Sequence, residues 1–419
     1  MTTSSVSVFT EAELTAIRGD FPILSRRGRG GKKIAYFDSS ATAQKPLCVI
    51  EAEADFYQMH NGAVNRGTHV LGDEATEAFE LARSQVARFV GARPDEIVWT
   101  KNATEALNLV ARSFGGANVK RGDRIVITRA EHHSNLVPWQ QLANSTGAEL
   151  AWLDLDLDGR IDLETLSVIT GNTKIVAFTH ASNVTGAISP VEEIVRKAKE
   201  VGAITVLDTC QSSAHMPVDV EKLGVDFAVF SSHKLLGPTG IGALYGRRDL
   251  LAAMPAFLTG GSVVADVTME TTQFLPAPNR FEAGSQPVAQ AVAWGVALEY
   301  LGELGMDRVK AQEDSMLEYL LDGIRSVPDV RILGPEDSNE RLGVVSFVVE
   351  GVHPHDVGQV LDAADVAVRV GHHCAIPLHR FFGVKSSSRA SMSITSTRGE
   401  IDQLVDGLAK VQEYFKGGL

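Results

Sequence analysis

The chain reads as an α/β protein built on a mainly parallel sheet flanked by helices, followed by a smaller α+β C-terminal domain. Three observations predict it. Short β-rich runs recur at residues 96–100, 124–128, 174–179, 204–208 and 227–230, mostly apolar without alternation, as strands covered on both faces are. Between them lie segments whose apolar residues repeat at helical spacing. After about residue 300 the order becomes helix, two strands, helix and strand, the texture of a separate layer.

The acidic and apolar residues from Phe9 to Ile23 predict a helix and turn whose packing partner is left open. Ala75, Ala78, Phe79, Ala82, Val86, Phe89 and Val90 mark one face of a helix. The run ending at Thr100 passes through Asn102-Ala103-Thr104-Glu105 into a helical pattern. Thr104 therefore lies at a helix N-terminus on a strand's carboxyl edge, where free N–H groups either bind an anion or are simply capped. Residues 191–201 predict a helix with Glu192, Glu193, Lys197 and Lys199 on its outer side. A helix at 306–327, strands at 330–333, 344–349 and 366–370, and a helix at 355–364 complete the chain. The boundary is expected at 295–305, giving a large domain over 31–300 and a small domain from 1–30 and 301–419. No internal repeat is present.

At 419 residues, with 44% hydrophobic and 22% charged residues, the chain is long enough for a core that needs no staples. A formal charge of −13 argues against a nucleic-acid or anionic-membrane surface. Small-molecule chemistry is the expectation. The basic run from Arg26 to Lys33 reads as a solvated loop. Three scattered cysteines, Cys48, Cys210 and Cys374, suit no disulfide framework and point to a reducing cytoplasm. A polar Met1–Ser5 and the lack of any apolar stretch of roughly 18 residues argue against a signal peptide or membrane span.

The candidate chemistry gathers around Lys234. It follows the apolar run 227–230 and precedes the glycine-rich 237–242, so it sits at a strand end beside a turn. Asp208 ends another such run. A lysine and an aspartate placed in this way supply the Schiff-base amine and the pyridinium carboxylate that pyridoxal phosphate needs. Ser231 and His233 add donors for its phosphate. Residues 237–242 lack the Gly-Lys-Ser/Thr ending of a nucleotide phosphate loop. His132, in Glu131-His132-His133-Ser134-Asn135, follows another strand end, where it would lie over a ring or move protons. Gln211 would reach a cofactor oxygen or cap the next element. Cys374, in Gly371-His372-His373-Cys374, is a thiol in a glycine-bounded loop with His372, His373 and Arg369 nearby to favour thiolate. His372, His373 and Cys374 are zinc ligand types, but adjacent side chains seldom converge on one ion without help from elsewhere. No metal is expected.

Together with Phe281-Glu282-Ala283-Gly284-Ser285, Tyr36 to Ala41 and Arg389-Ala390-Ser391, these motifs resemble the SUF-type cysteine desulfurases, class V members of the fold-type I pyridoxal-phosphate enzymes. The likeness spans nearly the whole chain. It implies a large domain with a seven-stranded-type sheet, pyridoxal 5'-phosphate as cofactor and L-cysteine as substrate. By resemblance Lys234 forms the Schiff base, His132 stacks on the ring, Asp208 pairs with its nitrogen and Gln211 faces its phenolic oxygen. Thr104, Ser231 and His233 hold the phosphate beside Ala103, which replaces a hydroxyl residue common there. Ser285, where threonine is frequent, is expected to reach the phosphate of a neighbouring subunit, which implies a homodimer with shared sites. Asn183 and Arg389 grip the substrate carboxylate, the guanidinium offering a two-pronged donor. Cys374 attacks the substrate sulfur, alanine leaves, and the persulfide passes to a small acceptor protein for iron-sulfur cluster assembly. Selenocysteine lyase and class V aminotransferase are the alternatives. Residues 392–397 lack the aromatic and asparagine residues common in the family.

Overall fold

The computed structural model describes residues 6–65 and 67–416; Met1–Ser5, which carried part of the targeting expectation, lies outside them. Its strands are β1 (Ala35–Phe37), β2 (Ile97–Thr100), β3 (Arg124–Thr128), β4 (Glu149–Leu153), β5 (Thr173–Thr179), β6 (Ile204–Asp208), β7 (Phe227–Ser231), β8 (Gly242–Gly246), β9 (Val264–Val267), β10 (Thr272–Phe274), β11 (Val330–Leu333), β12 (Val344–Val349), β13 (Val366–Gly371) and β14 (Ser387–Ser391).

Seven strands form the large sheet in the order β2-β8-β7-β6-β5-β3-β4. The pairs from β7 through β6, β5 and β3 to β4 are parallel. β8 runs antiparallel to both β7 and β2, so β2 points the same way as the parallel set. Each face carries its own core. Ala228 and Phe230 belong to one apolar cluster with Phe79, Ile194 and Trp294, whereas Phe227 and Val229 belong to another with Leu107, Leu109 and Trp139. Burial on both faces is why these strands read as unbroken apolar runs.

The helices follow from their apolar stripes. Val191–Val201 buries Val191, Ile194, Val195 and Ala198 and ends at Gly202 in the left-handed region (φ 72°), a cap that glycine adopts without strain. Each large apolar side chain buried in this way contributes roughly 1.5–3 kcal/mol. Val70–Val90 buries Ala75, Phe79, Ala82, Val86 and Val90 and ends likewise at Gly91. Among the described residues no helix is long and apolar enough to cross a membrane.

The second sheet has the order β1-β13-β14-β12-β11, with only β1–β13 parallel. Met306–Arg325, Pro354–Ala363 and Arg398–Lys416 accompany it, and a third cluster, including Leu317, Leu320, Phe347, Leu361 and Leu404, fills the space between. One detail differs from the domain limits expected of the sequence. Residues 35–37 pair in this sheet rather than the large one, because Ala35 and Phe37 are fully buried and register with Val366 and Val368. Val288–Leu304 is one continuous helix through position 300, and the break falls at Gly305 (φ 79°). The amino-terminal helix Glu11–Gly19, opened by a Thr10/Glu13 capping box, is tied to both neighbouring helices by Arg18–Glu400 and Arg308–Glu13, each 2.9 Å.

Gly242, at the start of β8, packs directly against the turn that leaves β2. A Cβ there would stand 2.6 Å from both the Asn102 Cα and the Phe230 carbonyl oxygen, and neither backbone can retreat cheaply. Gly242→Ala is expected to lower stability by about 1–3 kcal/mol, the range for overpacking, measured as a shift in the urea unfolding midpoint.

Candidate active site

Since β2, β3, β5, β6 and β7 run in one direction, their ends at Thr100, Thr128, Thr179, Asp208 and Ser231 lie along one edge, where ligands of open α/β sheets bind. A cavity of about 220 Å³ opens there. It is lined by Lys234, Asp208, His132, Gln211, Ser231, His233, Ala103, Thr104, Asn183, Arg389 and Cys374. Every predicted site residue except Ser285 is thus brought together; Ser285 is exposed and outside this lining.

Lys234 closes the short turn Ser232–Lys234 after β7. The preceding carbonyl, of His233, accepts from Ala43 N (3.0 Å), Lys45 Nζ (3.0 Å) and Thr42 Oγ1 (3.3 Å), so three donors fix the turn. Asp208 is buried; its Oδ1 accepts from Cys210 N at 3.0 Å. Ser231 Oγ accepts from Ala103 N (2.9 Å), Thr104 Oγ1 bonds Ser134 Oγ (2.7 Å), and Asn102 Oδ1 caps Glu105 N (3.0 Å). Gln211 donates from Nε2 to Ser40 O at 3.2 Å, while its Oε1 is buried without a partner among the described residues.

Burial, with the Lys234 ammonium beside it, pushes His132 down to about 4, and burial likewise holds His233 near 4. Both imidazoles are therefore neutral at pH 7. His132 Nδ1 accepts from Ser134 N at 3.1 Å, leaving Nε2 to carry the proton. The loop holding His132 hangs on Glu131, whose carboxyl oxygens bond Thr128 Oγ1, Asn135 Nδ2 and Thr179 N. Burial raises Glu131 to about 8 against the pull of those three donors.

The other wall comes from the second sheet. Arg389, 2% exposed, donates to Asn183 O at 2.9 Å and lies 3.3 Å from Asp38, and its Nε has no partner among the described residues. Burial lowers it only to about 10, so it stays charged. Asn183 Nδ2 donates to His373 O (2.6 Å), and His133 N to Cys374 O (2.7 Å). Cys374 is half-buried, and it and His373 adopt left-handed φ of 55° and 49°, a conformation held only where surroundings impose it. The expected neighbours of the thiol change in one respect. Of the two imidazoles placed beside Cys374, His373 turns instead to Ser387 (3.0 Å), because Ser387 on β14 faces the buried side of the loop, and His133 joins His372 at the thiol. Sequence reasoning missed Ser40, Ala41, Asn102, Ser134 and Thr179 as lining residues and the part of Asp38; their only signal was polar or small residues at strand ends.

A fold of this kind, with lysine and aspartate on adjacent strand ends, defines a class before it defines a protein. Residues 35–404 match the family model described as aminotransferase class-V. A probable cysteine desulfurase 2 of Mycobacterium leprae is 53% identical over 97% of this chain and 98% of its own length. One from Streptomyces coelicolor is 50% identical over 96% and 97%. Among solved structures, the apo cysteine desulfurase of Thermococcus onnurineus superposes with a TM-score of 0.91 at 37% identity, covering 98% of this chain and 100% of that one. The chain belongs to the class-V aminotransferases and, within them, to the cysteine desulfurases.

The buried imidazoles make stability depend on pH. His132, His180 and His233 are bases whose folded values, about 4, lie below the ordinary 6.5. Between those values the unfolded chain binds more protons at these sites, so the histidines' contribution is full above 6.5 and is lost as pH falls toward 4, while the single raised carboxyl of Glu131 works the other way between about 4.5 and 8. Thermal unfolding midpoints should drop from neutral pH to about pH 5. His180→Asn should remove on the order of 2 kcal/mol of the dependence over that range.

Proposed function

We propose that the cavity binds pyridoxal 5'-phosphate and turns L-cysteine into L-alanine, leaving a persulfide on Cys374. The observation that carries the reading is the meeting of Lys234, Asp208 and Cys374, from two sheets, on one cavity. The residues fit the cofactor. A lysine amine and a buried carboxylate stand on neighbouring strands, and Gln211 Oε1, buried without a donor, suits an oxygen-bearing substituent that brings a proton. Lys234 would hold the aldehyde carbon, Asp208 the protonated ring nitrogen, His132 the ring face, and Thr104, Ser231, His233 and the Ala103 backbone the phosphate. Bound there, the cofactor supplies an electron sink conjugated with the substrate Cα.

The chain's own groups do the rest. Arg389 and Asn183 orient the substrate carboxylate, the unpartnered Arg389 Nε being a free donor for it. Lys234 Nζ, released from its covalent role, moves the Cα proton, and neutral His132 Nε2 carries a proton to or from the reacting atoms. Cys374 Sγ, as thiolate, bonds to the substrate sulfur while the Cβ–S pair returns to carbon, which takes up a proton to become the methyl of alanine. The persulfide then goes to a small acceptor protein of the iron-sulfur cluster assembly system, in a cytoplasm reducing enough to keep Cys374 free. A homodimer completes the site, Ser285 reaching the partner's phosphate; its exposure outside its own cavity supports this. Residues 1–30 and 301–419, with β1 added, act as the small domain that carries Cys374 to the large one.

Cys374→Ala is expected to keep the cofactor's visible absorbance yet lose sulfide and alanine formation by roughly 10³-fold or more, the scale on which removing a nucleophile acts. Keto-acid-dependent amino transfer that persists in Cys374→Ala, with no sulfide or alanine formed even by the wild type, would favour an aminotransferase. Borohydride reduction followed by peptide mapping should label Lys234. Arg389→Lys should raise KM for cysteine about tenfold through loss of the two-pronged contact.

A further inference from the structure

Cys374 belongs to a side-chain cluster that the proposed reaction leaves unexplained. One ring nitrogen of His133, one of His372 and the Cys374 Sγ all lie within 4.8 Å of one another. Adjacency alone argues against a metal in this loop, since His372, His373 and Cys374 lack a ligand from elsewhere. The structure differs on both counts. His373 is drawn away to Ser387, and His133 enters from the separate loop after β3, its ring centroid 5.6 Å from that of His372. The loops are fixed to one another by His133 N donating to Cys374 O (2.7 Å), a backbone bond that does not involve the ring. His372 is exposed and the other two are half-buried, so an ion has a path in.

We propose that His133, His372 and Cys374 form a site for a thiophilic divalent cation of zinc type, with water in the fourth position, and that occupancy reversibly caps the thiol. Two imidazoles and a thiolate are a borderline-soft donor set, which selects zinc over magnesium or calcium. Zinc–sulfur and zinc–nitrogen bonds of roughly 2.0–2.3 Å in a tetrahedron hold ligand atoms about 3.5 Å apart. Side-chain rotation of an exposed imidazole supplies the contraction. Each ring now accepts a backbone N–H, His372 Nδ1 from Cys374 N (3.1 Å) and His133 Nε2 from Ile376 N (3.1 Å), and binding shifts the rings' protons and exchanges those weak bonds for coordinate ones. The thiol proton passes to solvent and nothing is oxidised. Arg369 and Arg389, lining the same cavity, oppose the ion's charge, so the affinity is moderate and release is easy. The site stands independently of the proposed desulfurase activity; only the consequence, a desulfurase switched off by zinc, rests on that reading.

Chelator-treated holoenzyme is titrated with cobalt(II) as a spectroscopic probe. The expected result is one cobalt per chain with the visible bands of tetrahedral coordination, displaced by zinc. Cys374→Ala should abolish the bands, His372→Ala and His133→Ala should each weaken binding at least ~10-fold, and Cys48→Ala should leave it unchanged. His372 is exposed, so its variant folds even where His133→Ala does not. Zinc should also slow alkylation of Cys374, read by peptide mass spectrometry, and EDTA should restore it. No stoichiometric binding, or wild-type affinity in His372→Ala, overturns the site. Intact cobalt binding in a protein whose cysteine turnover survives Cys374→Ala would leave the site standing and remove only the switch.

Discussion

Parallel strands end together, and that constraint organises this molecule. At the carboxyl edge the backbone runs out of ladder partners, and loops must begin there. With β8 inserted antiparallel, β2 is turned to join the same edge. Residues far apart in sequence, from Asn102 to Lys234, therefore surround one cavity. The edge is stiff where it must be. Three donors converge on the His233 carbonyl, and the buried carboxyl group of Glu131 ties the ends of β3 and β5. Groups held by buried bonds of this kind keep their geometry because breaking one leaves a desolvated partner behind, at about 1–3 kcal/mol.

The second sheet supplies what the first lacks. Its strands bring Arg389 and its loop brings Cys374, and the joint between sheets at this point sets polar stitches beside a small apolar cluster of Ala130, Val184, Ala375 and Leu378: Arg389 to Asn183 O, Asn183 to His373 O, His133 N to Cys374 O. The same stitches impose left-handed backbone on His373 and Cys374. Thiol placement thus depends on groups from both halves of the chain.

Most of the large sheet was legible from apolar runs because burial on both faces leaves a signature in composition. The helix at Val191–Val201 was legible to the residue, its charged and apolar sides being cleanly separated. β8 was not: Gly242-Ala243-Leu244-Tyr245-Gly246 reads as an extension of the glycine-rich turn, and its first glycine serves close packing against Asn102 and Phe230 rather than a bend. β4 was missed as a half-exposed edge strand. The site was legible where chemistry needs a rare residue at a strand end, as with Lys234 and Asp208. His133 was hidden because nothing local marks a loop that meets another more than two hundred residues away in sequence.

Arg369 and Arg389 stand opposite one another on neighbouring strands, and Asp38 is the carboxylate set against them. Two fixed cations against a single anion leave this corner of the cavity one negative charge short of neutrality. That surplus positive charge favours an entering carboxylate, though water screens the exposed Arg369 more than the buried Arg389. The sign of the local field at this corner is in this way set by strand pairing, which holds residues 369 and 389 in register.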